Sequence, residues 1–232
     1  QAYCKVLCVK KFDDAPPYVE FVDNEGELLL RFVELVKEYN PDYLTGYFSD
    51  GFDFPYLRAR ASKYKIKLDL GRDGGSVKFG RGRSSSTAKI VGVAHVDIFK
   101  FIRRVMSGQI ALEAYDLDTV ARHILGEGKK KEVNIGNLDA DIKKGESLKS
   151  YCEYNLQDAK VTYEITVKML PNLHEFVRLI GLPVDDICRM SYGSFVEYYL
   201  LRNVKSFKEV APNKPAYKEL KKREQESYTG AF

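Results

Sequence analysis

Strand-like and helix-like apolar patterns alternate along the first 64 residues, and few folds accept that order. Residues 2–9 (AYCKVLCV) and 18–22 (YVEFV) interleave β-branched and aromatic residues with others and read as strands, separated by the Pro16–Pro17 pair. Asn24 followed by Glu27 has capping-box spacing, and Leu28, Leu29, Phe32, Val33, Leu35 and Val36 then recur at helical period. That helix should stop near Asn40–Pro41. Residues 43–47 (YLTGY) form a short strand, and the loop SDGFD leads into a helix over about 55–64 with Pro55 in its first turn. The order predicts an α/β fold with a partly parallel sheet.

Residues 71–93 differ in character. Two short strands, near 76–79 and 88–93, flank a Gly/Arg/Ser tip that carries Arg81 and Arg83. This predicts a β-hairpin whose tip is either a solvated loop or a contact for a phosphate backbone. A strand ending near Asp97 follows and turns helical, and residues 126–147 are a charged, Gly-containing excursion. Helices are expected over 148–169, 172–181, 186–204 and 216–226, with a domain change near Leu170–Pro171.

Composition narrows the function classes. Hydrophobic residues make up 44% of the 232 and charged residues 30%, which excludes a disordered or fibrous chain. No stretch approaches the ~18 apolar residues of a membrane span, and residues 1–10 lack a signal-peptide pattern. The net charge of +4 permits nucleic acid as a partner without demanding it. Cys4, Cys8, Cys152 and Cys188 are too scattered for a disulfide scaffold; free thiols in a reducing cytosol fit them.

Two acidic positions stand out. Asp53 follows a strand at the start of a helix, where carboxylates of α/β folds face the ligand crevice, although a helix N-cap explains it equally. Asp158 lies four residues after Tyr154 on a helix, so the carboxylate and the phenol share a face. Such a pair suits a divalent cation and a positioned water, and a solvated helical Asp is the plainer alternative. His95-x-Asp97 is either a metal pair or a local hydrogen-bonding group. Asp23-x-Glu25 is explained by helix capping. No P-loop, GxGxxG or Ser/His/Asp arrangement is present.

With these residues in view, the segment NPDYLTGYFSDGFDFPYL (40–57) resembles the second exonuclease motif of family B DNA polymerases, especially the archaeal replicative type. EYNLQDAKVTYE (153–164) resembles their third motif, Tyr-x-x-x-Asp, and ESYTGAF (226–232) resembles the element joining exonuclease domain and palm. The resemblance implies a partial RNase H-like (DnaQ-like) 3′–5′ proofreading domain over 1–170. A β-hairpin insertion and a helical connector toward the palm over 171–232 complete the picture. It implies a site where Asp53 and Asp158 hold Mg²⁺ or Mn²⁺ and Tyr154 orients the attacking water. Phe52 and Phe48 would meet bases, Arg81 and Arg83 would lie near the primer-template junction, and Tyr228, Gly230 and Ala231 would touch template. DNA, the rest of a polymerase chain and a sliding clamp are the implied partners, in a cytoplasmic, nucleoid-associated setting.

Two departures from the family pattern are visible. The first motif, Asp-x-Glu on the first core strand, is expected before residue 1. The chain should therefore be an interior fragment that hydrolyses DNA poorly alone. The family's Asn five residues before the second-motif Asp is replaced by Phe48, which cannot hydrogen-bond and could stack on a base. A degenerate exonuclease domain kept as a DNA-binding scaffold is the alternative this substitution raises.

Overall fold

The computed structural model describes residues 4–81, 86–108, 110–126, 146–211, 213, 215–219 and 221. The chain divides into two units, Gln1–Tyr192 and Gly193–Phe232. Three two-stranded sheets are present among the described residues. Strands β1 (Val6–Cys8) and β2 (Val19–Phe21) pair in parallel, as do β3 (Tyr43–Gly46) and β6 (Ala94–Asp97). The hairpin strands β4 (Lys78–Arg81) and β5 (Ser86–Lys89) pair antiparallel. The mixed α/β class with parallel pairing is as expected.

Helix α1 (Glu25–Tyr39) starts where the capping pattern placed it. The Asn24 side chain accepts from the Glu27 N–H, and Glu27 accepts from the Asp23 N–H at 3.0 Å. Asn40 ends the helix in the left-handed conformation. Leu29, Val33 and Val36 turn inward to meet Phe54 and Ala61 of α2 (Asp53–Lys63) and Ala88 of the hairpin, forming the core under the 47–53 turn. Burying side chains of this kind stabilises by roughly 1.5–3 kcal/mol each.

After β6 the chain runs into α3 (Ile98–Phe101), continues as a π-helical turn (Ile102–Met106), and later forms α4 (Leu117–Leu125). Helix α5 (Glu146–Ile180) is a single 35-residue element that passes through Pro171. The separate helices expected over 148–169 and 172–181 are therefore one. The expected boundary near Leu170–Pro171 lies within the span of α5, and the contact-based division of the chain falls between Tyr192 and Gly193. A Pro removes one helical hydrogen bond. Side-chain contacts with β3 hold α5 on both sides of it. Thr166 Oγ1 lies 2.7 Å from Thr45 Oγ1, and His174 Nε2 lies 2.9 Å from the Tyr43 hydroxyl. The short α6 (Val184–Ile187) completes the first unit.

In the second unit, α7 (Tyr192–Asn203) leaves Val196, Tyr199 and Leu200 exposed. No helix among the described residues is long and apolar enough to cross a membrane.

Candidate functional site

The register of β3 against β6 places the site. Gly46 pairs with Asp97, so the chain leaves β3 directly over the Asp97 carboxylate. That carboxylate accepts the backbone N–H of Phe48 at 3.1 Å on one oxygen and of Asp50 at 3.0 Å on the other. It also caps α3. The turn closes through N–H bonds of Gly51 and Phe52 to the Phe48 carbonyl, both 3.0 Å, and of Phe54 to the Ser49 carbonyl at 2.9 Å. Gly46 is required here, because a Cβ would collide with the Ser49 side chain.

A buried ionic cluster fixes the middle of this turn. Asp50, 0% exposed, accepts from the Ala88 N–H at 2.8 Å, Lys100 Nζ at 2.8 Å and Arg189 Nε at 2.7 Å, with Arg189 Nη2 at 3.2 Å. Burial alone would raise its carboxyl, but the hydrogen bond and charge of Arg189 and the hydrogen bond of Lys100 hold it below the ordinary range. Beside it, His95 Nδ1 stands 2.8 Å from the Ala88 carbonyl and Nε2 stands 2.9 Å from Ser49 Oγ. Arg189 Nη2 also stands 3.0 Å from Nδ1, so both ring nitrogens are engaged by protein groups. Burial pushes His95 down to about 4, which keeps it neutral. Burial pushes Asp97 up to about 6. The His95/Asp97 pair is thus a hydrogen-bonded support and not a metal pair.

The turn delivers Phe52 and Asp53 to solvent. Phe52 sits at the N-cap of α2 without a side-chain cap bond, and Asp53 is the first residue of α2, not its cap. The Asp53 carboxyl lies above the ordinary range because neighbouring atoms partly exclude water, an effect offset in part by its own backbone N–H. Phe52 and Tyr56 are both exposed and stack in parallel at 6.1 Å between centroids. Phe48 takes a left-handed backbone (φ 62°), and its ring packs edge-on to Phe99 at 5.1 Å. Gly51 makes room for that ring, since any Cβ there would collide with it.

Asp158 and Tyr154 lie on α5. Tyr154, Asp158, Thr162 and Thr166 follow at four-residue intervals, a spacing that keeps neighbours on one face. The Thr45–Thr166 and Tyr43–His174 contacts show that α5 runs antiparallel to β3. Asp158 is eight residues before Thr166, about 12 Å toward the helix N-terminus at 1.5 Å per residue. That direction leads past the end of β3 where the 47–53 turn departs. Asp53 itself begins α2, where that turn ends.

The remaining expected site residues divide simply. Arg81 ends β4. Arg83, Tyr228, Gly230 and Ala231 lie outside the described residues. Among the described residues, no group of three or more His, Cys, Asp or Glu side chains could hold a metal ion. Sequence reasoning missed Asp50, Lys100 and Arg189. Only the position of Asp50 inside the acidic SDGFD turn could have suggested a role.

Residues 4–120 match the family described as DNA polymerase family B, exonuclease domain. The chain is 41% identical over 228 residues to a DNA polymerase of Pyrococcus horikoshii, covering 98% of this chain and 18% of that protein. It is 40% identical over 228 residues to DNA polymerase 1 of Pyrococcus abyssi, covering 98% of this chain and 29% of that protein. It is also similar to the solved structure of the family B DNA polymerase from the hyperthermophilic archaeon Pyrobaculum calidifontis. The TM-score is 0.67 at 29% identity, covering 87% of this chain and 25% of that one. The chain thus spans less than a third of the length of these relatives.

Proposed function

Because the chain belongs to the exonuclease-domain family of the family B DNA polymerases, we propose that it forms the proofreading part of a DNA-directed DNA polymerase. The reaction is hydrolysis of the terminal phosphodiester at a DNA 3′ end. The observation that carries this reading is the turn at the end of β3, which is fixed from below by Asp97 and presents Phe52 and Asp53 outward. The core is read as a partial RNase H-like fold with the β4–β5 hairpin as its insertion. The segment beyond it is read as the connector toward the palm.

The chain's own residues take distinct tasks. Phe52, exposed and stacked on Tyr56, offers a π-face to a terminal base. Tyr154, one helical turn from Asp158, orients a water for in-line attack. Arg81 and Arg83 of the hairpin meet phosphates, and Tyr228, Gly230 and Ala231 meet template. Phe48 adds a second ring beside the first. Asp53 and Asp158 are assigned as ligands for Mg²⁺ or Mn²⁺. Two divalent cations need several carboxylates to balance their charge. The described residues offer no group of three, so by themselves they do not complete a two-cation centre. The 232-residue chain alone is accordingly proposed to be a poor nuclease. The proposed partners are DNA, the remainder of the polymerase and a sliding clamp reached through it, in the cytoplasm.

The test uses the polymerase that carries this chain, with single-stranded DNA labelled at its 5′ end and Mg²⁺ or Mn²⁺. The DNA should shorten from its 3′ end. Asp53→Ala and Asp158→Ala should each abolish shortening while polymerisation persists. Undiminished shortening by both variants refutes the site assignment. Salt-dependent DNA binding with no cleavage by the parent would mark a binding scaffold instead.

A further inference from the structure

Asp50 is buried at the centre of a turn whose exposed end is assigned to DNA hydrolysis, and its partners come from three distant parts of the chain. Ala88 belongs to the hairpin, Lys100 to α3, and Arg189 to the segment after α6. An ionised carboxylate has about four acceptor positions, and here all are used. Lys100 reaches one oxygen at 2.8 Å. Arg189 reaches both, at 2.7 and 3.2 Å, and its Nη2 also donates to the Ala88 carbonyl at 3.2 Å. The other end of the guanidinium donates to the Asp185 carbonyl, and the Arg189 carbonyl accepts from Arg104. The fork is therefore itself held, and a held fork sets direction as well as charge.

For stability alone, an apolar cluster of similar volume serves as well as buried ions. What the ions add is orientation of the turn. We propose that Arg189 is a positioning residue for the nuclease site: its bidentate grip on Asp50 fixes the 48–53 turn and so aims Asp53 and Phe52. This inference rests on the exonuclease reading above. Lys100 keeps Asp50 neutralised when Arg189 is replaced, so the turn stays folded but loses its aim.

The experiment compares Arg189→Met and Arg189→Lys with Asp53→Ala in the polymerase that carries this chain. Initial rates of 3′ shortening on single-stranded DNA are measured alongside polymerisation and thermal unfolding. A misplacement of about 1 Å costs on the order of 100-fold in rate. Arg189→Met should lower kcat by roughly 10- to 100-fold, with a smaller rise in KM through Phe52 and with polymerisation nearly unchanged. Arg189→Lys, which keeps the charge but not the fork, should fall between Arg189→Met and the parent. Unchanged kcat in both Arg189 variants, with Asp53→Ala inactive, overturns the proposal and leaves the exonuclease reading standing. A loss of kcat that only tracks the loss of folded protein overturns it too, by reducing Arg189 to a structural residue. If Asp53→Ala keeps full activity, the site reading fails first and takes this inference with it.

Discussion

His95 and Asp97 should make opposite contributions to the acid stability of this domain, each hiding the other. Burial lowers His95 from 6.5 to about 4 and raises Asp97 from 3.8 to about 6. Consider acidification from pH 6.5 to 4. The unfolded chain protonates His95 before the folded one does, so this residue makes stability fall as the pH falls. The folded chain protonates Asp97 before the unfolded one, so Asp97 makes stability rise over nearly the same interval. Each shift spans a little over two pH units, and a unit corresponds to about 1.4 kcal/mol, so each contribution is about 3 kcal/mol. Together they nearly cancel between pH 4 and 6. Asp97→Asn should expose the histidine, giving a domain that loses about 3 kcal/mol on going from pH 6.5 to 4 relative to the parent. His95→Gln should expose the aspartate, giving a domain that gains about as much relative to the parent between pH 6 and 4. Urea unfolding across that pH series reads both slopes. Lowered carboxyls held by other partners, such as Glu25 beside Arg60 and Tyr64, are common to all three proteins and cancel in the differences. Parallel curves for the parent and both variants would show that burial does not shift these two groups as reasoned.

Other perturbations are as direct. Asp50→Asn leaves Lys100 and Arg189 buried without their counter-charge and should destabilise by about 3–5 kcal/mol, read as a lower Tm. Phe48→Asn removes a left-handed Phe, worth about 1–2 kcal/mol, and loses an edge contact with Phe99 worth about 0.5–1.5 kcal/mol. Urea unfolding should therefore move little, while 3′ shortening by the polymerase should rise as a hydrogen-bonding side chain returns to the motif. Asn24→Ala should cost about 1 kcal/mol in the same unfolding assay through loss of the α1 cap. Gly46→Ala should impair nuclease rate and stability together, because its methyl collides with Ser49.

What could be read in advance was local. The Asn24–Glu27 cap, the apolar face of α1, the strand at 43–46 and the hairpin all depend on residues within a few positions of each other, and all are present. Pro171 misled because a proline disrupts an isolated helix, whereas α5 is held by Thr45 before it and Tyr43 after it. The buried cluster was illegible for a similar reason. Lys100 stands 50 residues from Asp50 and Arg189 stands 139 away, and in sequence either one looks like an ordinary surface cation. His95 was open between a ligand and a hydrogen-bonded residue, and only its partners Ser49 and Ala88 decide for the latter.

The fold also sorts its carboxylates by how much cation each receives. Asp50 lies between Lys100 and Arg189 and is held below the ordinary range. Asp97 is buried over backbone N–H groups that suit a fixed anion. Asp53, three residues beyond Asp50, has no Lys or Arg among its perturbers, and its carboxyl rises with partial enclosure. Holding the first two in buried hydrogen bonds fixes the turn. The third stands in the first turn of α2, where the helix N-terminus favours a negative charge. On the proposed reading, a Lys placed beside Asp53 makes the domain more stable and weakens its hold on a divalent cation, which Mg²⁺ or Mn²⁺ titration of 3′ shortening measures.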